Sequence, residues 1–142
     1  MSDKIYMFSY GMNTHNASMA VRCPEATCLG AAWLDDHVFM FKYHADVEYE
    51  PGSAVEGLLW EMQEEDLDKI DLVEGYPDYY YREIQAVTAQ DGQTYHAWVY
   101  KMSGDQERYR PSDGYLNTVI QGYNQNGLHT EQVYQALEWC RG

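Results

Sequence analysis

Two short stretches hold residues whose types and spacing point to chemistry. In the run Glu64-Glu65-Asp66-Leu67-Asp68-Lys69-Ile70-Asp71-Leu72-Val73-Glu74-Gly75, Leu67, Ile70 and Glu74 fall at i, i+3 and i+7, the spacing that places side chains on one face of a helix. Two of the three are apolar, so this is the buried face and Glu74 is carried in with it. Gly75 is suited to end the helix in the left-handed conformation. Glu74 then lies in the last turn, where the helix dipole favours a cation. An apolar face beside a helix C-terminus raises the pKa of a carboxyl group, and such a group can take and return a proton. The competing expectation is an ordinary carboxylate that bends out to solvent or pairs with Arg82. The second stretch is Tyr10-Gly11-Met12-Asn13, where a strand stops at a glycine and feeds a helix. Helix starts leave backbone N–H donors free, and such donors can hold an anion or a developing oxyanion. The competing expectation there is a plain capped helix start.

Other chemistries find little support. The histidines (His15, His37, His44, His96 and His129) show neither H-E-x-x-H nor any H-x-x-x-H spacing, so no metal site is expected. The Gly11 corner has no following Gly-Lys-Ser and no third glycine, which argues against a phosphate cradle. No G-x-S-x-G elbow presents a serine nucleophile. Cys23, Cys28 and Cys140 form no C-x-x-C pair; an odd count of this kind fits free thiols in a reducing cytoplasm. Cys28 reads as an inert thiol in a strand.

The elements that must position Glu74 and the Gly11 corner follow from the pattern of the chain. With 142 residues, 45% hydrophobic and 15% aromatic, it has the length and composition of one folded domain, 1–142, with one core. A net charge of -14 disfavours nucleic acid and anionic membranes as partners, since both require a basic face. No apolar run is long enough to span a bilayer, and Met1-Ser2-Asp3-Lys4 opens no signal peptide. Residues 5–10 alternate as an opening strand covered on both faces, and Thr14 or Asn13 can cap a short helix running to about Val21. Residues 26–34 and 37–43 are expected to pair across Asp35-Asp36, Pro51-Gly52 to turn, and residues 55–62 to form a central strand. Residues 79–89 and 94–102 form a hairpin joined at 90–93. The tail is helical: Tyr115, Val119, Ile120 and Tyr123 recur at helical spacing, Asn126-Gly127 ends that helix, and residues 130–139 form another, with Val133, Leu137 and Trp139 partly inward. Strands first and helices last predict an α+β domain whose mainly antiparallel sheet curls into a small barrel.

The motifs in order resemble one family. Ile5-Tyr6-Met7-Phe8-Ser9-Tyr10-Gly11-Met12-Asn13 resembles the Y-G-S-N opening of the γ-glutamyl cyclotransferase superfamily. Cys28 to Leu34 with Phe39-Met40-Phe41 is similar to its following hairpin. Val55-Glu56-Gly57-Leu58-Leu59-Trp60-Glu61-Met62, a helix, and Leu72-Val73-Glu74-Gly75 resemble its strand-helix-Glu core. Tyr81 to Val87, Pro111-Ser112-Asp113-Gly114-Tyr115 and Asn126-Gly127-Leu128 echo the remainder. The resemblance covers nearly the whole chain.

It implies a small mixed β-barrel with flanking short helices and a transferase- or lyase-type enzyme that converts a γ-glutamyl amine or γ-glutamyl amino acid to 5-oxoproline and a free amine. The matching general acid/base is Glu74. The matching substrate-binding loop is Gly11, Met12 and Asn13 with Tyr10 alongside, and Tyr81 and Tyr115 match tyrosines that line the pocket. Met12 stands where the family has Ser; a loop that works through backbone N–H groups tolerates the change, because Met keeps its amide. The implied reaction needs no metal or organic cofactor, and its partner is a small γ-glutamyl molecule bound by a monomer or weak homodimer. A catalytically silent barrel that binds a metabolite or protein partner is the alternative, and the presence of Glu rather than Gln at position 74 argues against it.

Overall fold

The computed structural model describes residues 4–142, so the reading of Met1-Ser2-Asp3 as no signal segment lies outside the described residues. The chain runs β1 (Lys4–Ser9), a 3-10 turn (Met12–Thr14), α1 (Asn16–Arg22), β2 (Thr27–Lys42), β3 (His44–Gln63), α2 (Glu64–Glu74), β4 (Tyr80–Ala89), β5 (Thr94–Met102), α3 (Asp113–Gln125) and α4 (Glu131–Glu138). The strands close into a barrel in the order β1-β3-β2-β4-β5. Every pairing is antiparallel except β1 with β5, which is parallel and completes the ring. Among the described residues every strand has two paired neighbours, the closed arrangement expected for a small mixed barrel.

Two expected turns prove to be one irregularity. β2 continues through Asp35-Asp36, and β3 continues through Pro51-Gly52. The hairpin between them turns at Tyr43, whose φ is +65°, with Lys42 opposite His44. The local signals at 35–36 and 51–52 are real but mark a bulge: Asp35 pairs with Ala54 and His37 with Tyr49, so residues 50–53 arch out opposite Asp36. Gly52 takes φ +89° and donates its N–H to Asp36 Oδ1 at 3.1 Å. Turn-forming residues can serve a bulge as well as a chain reversal, because both need left-handed φ values. The β4–β5 hairpin is as expected, with Thr88 opposite Thr94.

The hydrophobic core built on the two faces of the barrel wall includes Phe8, Phe39, Leu58, Leu59 and Val99, all buried. Around it, α2 buries Leu67 and Ile70 and ends at Gly75, whose φ +69° and ψ 36° make the expected left-handed stop. Its first turn carries Glu64, Glu65 and Asp66, charges that suit a helix N-terminus. α3 buries Val119 and Tyr123; α4 buries Val133 and Ala136, whereas Trp139 is exposed.

Candidate active site

β1 ends at Ser9 and the chain turns through Gly11 into the 3-10 turn, held by Thr14 N–H to Gly11 O (3.1 Å), Thr14 Oγ1 to Gly11 O (2.7 Å) and Ser9 Oγ to Asn13 O (3.2 Å). α1 follows one residue later than expected. Its cap is His15, whose Nδ1 accepts from Ser18 N–H at 3.4 Å, not Thr14 or Asn13. Those two are occupied in the preceding turn, where both are buried. α3 lies directly against this corner. A Cβ added at Gly122 would stand 2.4 Å from Thr14 Oγ1 and 2.7 Å from His15 N. Asn126 Nδ2 donates to Thr14 O at 2.9 Å, and Tyr123 OH to Tyr10 O at 2.5 Å.

The corner forms one side of a cavity of about 240 Å³, and Glu74 faces it from the last turn of α2. Tyr10, Gly11, Met12, Asn13 and Tyr115 all line this cavity with Glu74. Of the two expectations for Glu74, neither the solvent-turned nor the Arg82-paired one holds. Its carboxylate is half-buried and accepts from Asn13 Nδ2 at 2.9 Å. Arg82 instead grips Asp71, one turn earlier, through Nε to Oδ1 (2.8 Å) and Nη2 to Oδ2 (3.0 Å). Burial raises the Glu74 pKa above the ordinary glutamate value, against the lowering effects of the Asn13 hydrogen bond and the Arg22 charge.

Tyr81 is the one expected site residue that lies elsewhere. Side chains alternate along a strand: Tyr80 is buried and lines the cavity, while Tyr81 is exposed and faces a separate hollow beside Lys42 and Lys101. Three adjacent tyrosines, 79–81, made the inward one unreadable without the strand register. Tyr80 OH donates to Ala45 O at 2.6 Å, and Tyr115 OH accepts from Ala45 N–H at 3.0 Å. Tyr10 OH donates to Tyr100 O at 2.6 Å. Burial pushes all three phenols upward, so they stay neutral donors at working pH.

Further lining residues carried no local signal. His44 bonds Tyr79 OH through Nδ1 at 2.6 Å and meets the Tyr79 and Tyr115 rings edge-on. Burial lowers its pKa, which keeps the ring neutral. Tyr79 and Val73 are partly exposed and stand at the mouth. Arg22, the last residue of α1, donates to Asn13 Oδ1 through Nη1, and its Nη2 lies 3.5 Å from Met12 Sδ. Its signal would have been an arginine nine residues beyond Asn13 on the helix that the corner starts, which is too common a pattern to stand out.

The arrangement offers one carboxyl group of raised basicity, a turn rich in backbone donors across from it, neutral phenols, and a wall of aromatic rings. Comparison with known proteins identifies the family. The family model described as γ-glutamyl cyclotransferase, AIG2-like, matches residues 7–117. The γ-glutamylcyclotransferase of Bos taurus is 28% identical over 137 residues, which cover 87% of this chain and 72% of that one. A Drosophila melanogaster relative is 32% identical over 91 residues, 62% of this chain; the match spans 58% of that relative's length. A solved structure of a γ-glutamyl cyclotransferase has the same fold, with a TM-score of 0.85 at 24% identity, covering 99% of this chain and 90% of that one. The Gly11-Met12-Asn13 turn and the Glu74 segment both fall inside the matched stretch, and the chain belongs to the AIG2-like γ-glutamyl cyclotransferase family.

Proposed function

We propose that the protein cyclises a γ-glutamyl amine or γ-glutamyl amino acid to 5-oxoproline and releases the free amine, with Glu74 as general acid/base. The observation that carries this reading is the half-buried Glu74 carboxylate, of raised pKa, facing the Gly11-Met12-Asn13 turn across one cavity. In such a substrate the α-nitrogen can reach its own γ-carbonyl and close a five-membered ring, so the nucleophile is already in place and proximity supplies much of the rate. An α-ammonium cannot attack. Glu74 takes its proton, the freed nitrogen pair bonds to the γ-carbon, and the carbonyl becomes a tetrahedral oxyanion. Backbone N–H groups at the start of the 3-10 turn, from Gly11, Met12 and Asn13, receive that charge in this reading, since a helix start leaves such donors without intrahelical partners. Collapse reforms the carbonyl and breaks the bond to the leaving nitrogen, which receives the proton from Glu74. The ring nitrogen gives up its surplus proton, and the amine departs as ammonium.

Met12 supplies its amide to this turn but no hydroxyl, and its sulfur lies against Arg22. Tyr10 and Tyr115 bound the glutamyl end, and the Val73–Tyr79 mouth receives the leaving group. The experiment is direct: incubate the protein with γ-glutamyl amines and γ-glutamyl dipeptides and follow 5-oxoproline, with Glu74→Gln as control. Release that depends on Glu74 supports the reading. No release from any member, or undiminished release by Glu74→Gln, refutes it and leaves a barrel that only binds.

A further inference from the structure

The polar connection from Glu74 runs inward through two more side chains. Asn13 Nδ2 donates to Glu74 Oε1 at 2.9 Å, and Asn13 Oδ1 accepts from Arg22 Nη1. A guanidinium has donors and no acceptor. With Arg22 on one side, the carbonyl of Asn13 must face it, and the amide NH2 must face Glu74. The three residues come from separate elements: α2, the 3-10 turn and the last residue of α1.

We propose that Arg22 is the positioning residue of this site: it fixes the orientation of Asn13, so that the amide NH2 occupies one oxygen of Glu74 and leaves the other to exchange protons with the substrate. The proposal rests on the acid/base role assigned to Glu74 above. Without Arg22, the Asn13 amide is free to rotate and present its carbonyl to the carboxylate, which repels the ionised form.

Arg22 is the one side chain with a fixed positive charge among the described residues that line the cavity. The other groups around Glu74 do not substitute for it. Tyr10 just after β1, Tyr80 on β4, Tyr100 on β5 and Tyr115 on α3 are neutral phenols, as is Tyr79 at the mouth. His44 on β3 is held neutral by burial. Nearby acids have partners of their own: Asp46 bonds Lys42 at 2.7 Å, and Asp71 bonds Arg82. The Arg22 charge and the Asn13 hydrogen bond both favour ionised Glu74, and burial alone opposes them.

The test compares Arg22→Met and Arg22→Lys with wild type in the pH profile of kcat/KM for 5-oxoproline release. In parallel, the Glu74 carboxyl carbon is titrated by NMR, its signal assigned by its loss in Glu74→Gln. Arg22→Met is expected to lower kcat/KM on the acidic side by about ten- to a hundredfold, the cost of a misplaced catalytic group. The loss falls on kcat, with KM nearly unchanged. The ascending limb and the Glu74 titration both move to higher pH. Arg22→Lys, which keeps a cationic donor, recovers part of each change. An unmoved limb and titration in Arg22→Met would overturn the proposal, as would a rise in KM with kcat intact, because Arg22 would then bind substrate directly. If Arg22→Met does not fold, Arg22→Lys and Asn13→Ala read the same displacement. If wild type releases no 5-oxoproline, the functional reading fails separately, and the NMR titration still decides whether Arg22 governs Glu74.

Discussion

Asp71 and Glu74 are carboxylates one turn apart on the same helix, and they are treated in opposite ways. Asp71 is gripped at both oxygens by Arg82 and accepts a third hydrogen bond from Tyr100 OH at 2.6 Å. Glu74 receives a single hydrogen bond from a neutral amide, beside an open cavity. A carboxylate with both oxygens engaged, by three hydrogen bonds, is a structural anchor joining α2 to β4 and β5. One that is half-buried and under-bonded is free to change its protonation state. Burial alone does not distinguish the two; the count and charge of their partners do.

The sharpest way to break the comparison is to neutralise each carboxylate in turn. Glu74→Gln should lower kcat by about a thousandfold, within the range for losing a general acid/base, with the fold retained by circular dichroism. Asp71→Asn should do the converse: a loss of about 3 kcal/mol in urea unfolding, because Arg82 keeps a largely buried charge without its partner. An Asp71→Asn protein as stable as wild type would remove the distinction.

A smaller effect sharpens it through pH. The Glu74 pKa is raised in the folded state, so the native protein holds that proton more tightly than the unfolded chain does. Stability is therefore lost as pH rises from the ordinary glutamate value through the folded one. Glu74→Gln removes this cost and should stabilise the protein near neutral pH by about 0.5 kcal/mol, a common size for relief at a functional site. The gain should vanish in acid, below the ordinary glutamate range, and thermal melts across pH would show it. For the same reason the ascending limb of kcat/KM should lie above the ordinary glutamate range. Smallest of all, Tyr81→Phe should leave kcat/KM unchanged, whereas Tyr115→Phe strands the Ala45 N–H and should cost about 1 kcal/mol in stability.

The barrel was legible because strand alternation and the 90–93 turn are local signals. Glu74 was legible because helical spacing and Gly75 fixed its face and its place in the last turn. The signals at Asp35-Asp36 and Pro51-Gly52 read as turns and prove to be one bulge, with left-handed φ at Asp36 and Gly52, since only the partner strand distinguishes a bulge from a reversal. Tyr80 and Tyr81 show the same limit at the site. Which of two neighbours points inward is decided by register, and register is set across strands. Arg22 was illegible because its role depends on α1 folding back over the corner that precedes it.

Gly122 does not line the cavity and lies on a helix that contributes Tyr115 from its opposite end. It backs the turn that carries Asn13 at Thr14 and His15, and the spacer there is a single hydrogen atom. One methyl group at position 122 would act as a wedge. It would drive the corner off its support and shift Asn13 against Glu74 without altering either side chain. The mouth at Val73 and Tyr79 is partly exposed and is held on its inner side by the His44 ring. The cavity therefore has one wall set by a close backbone approach and another set by exposed side chains.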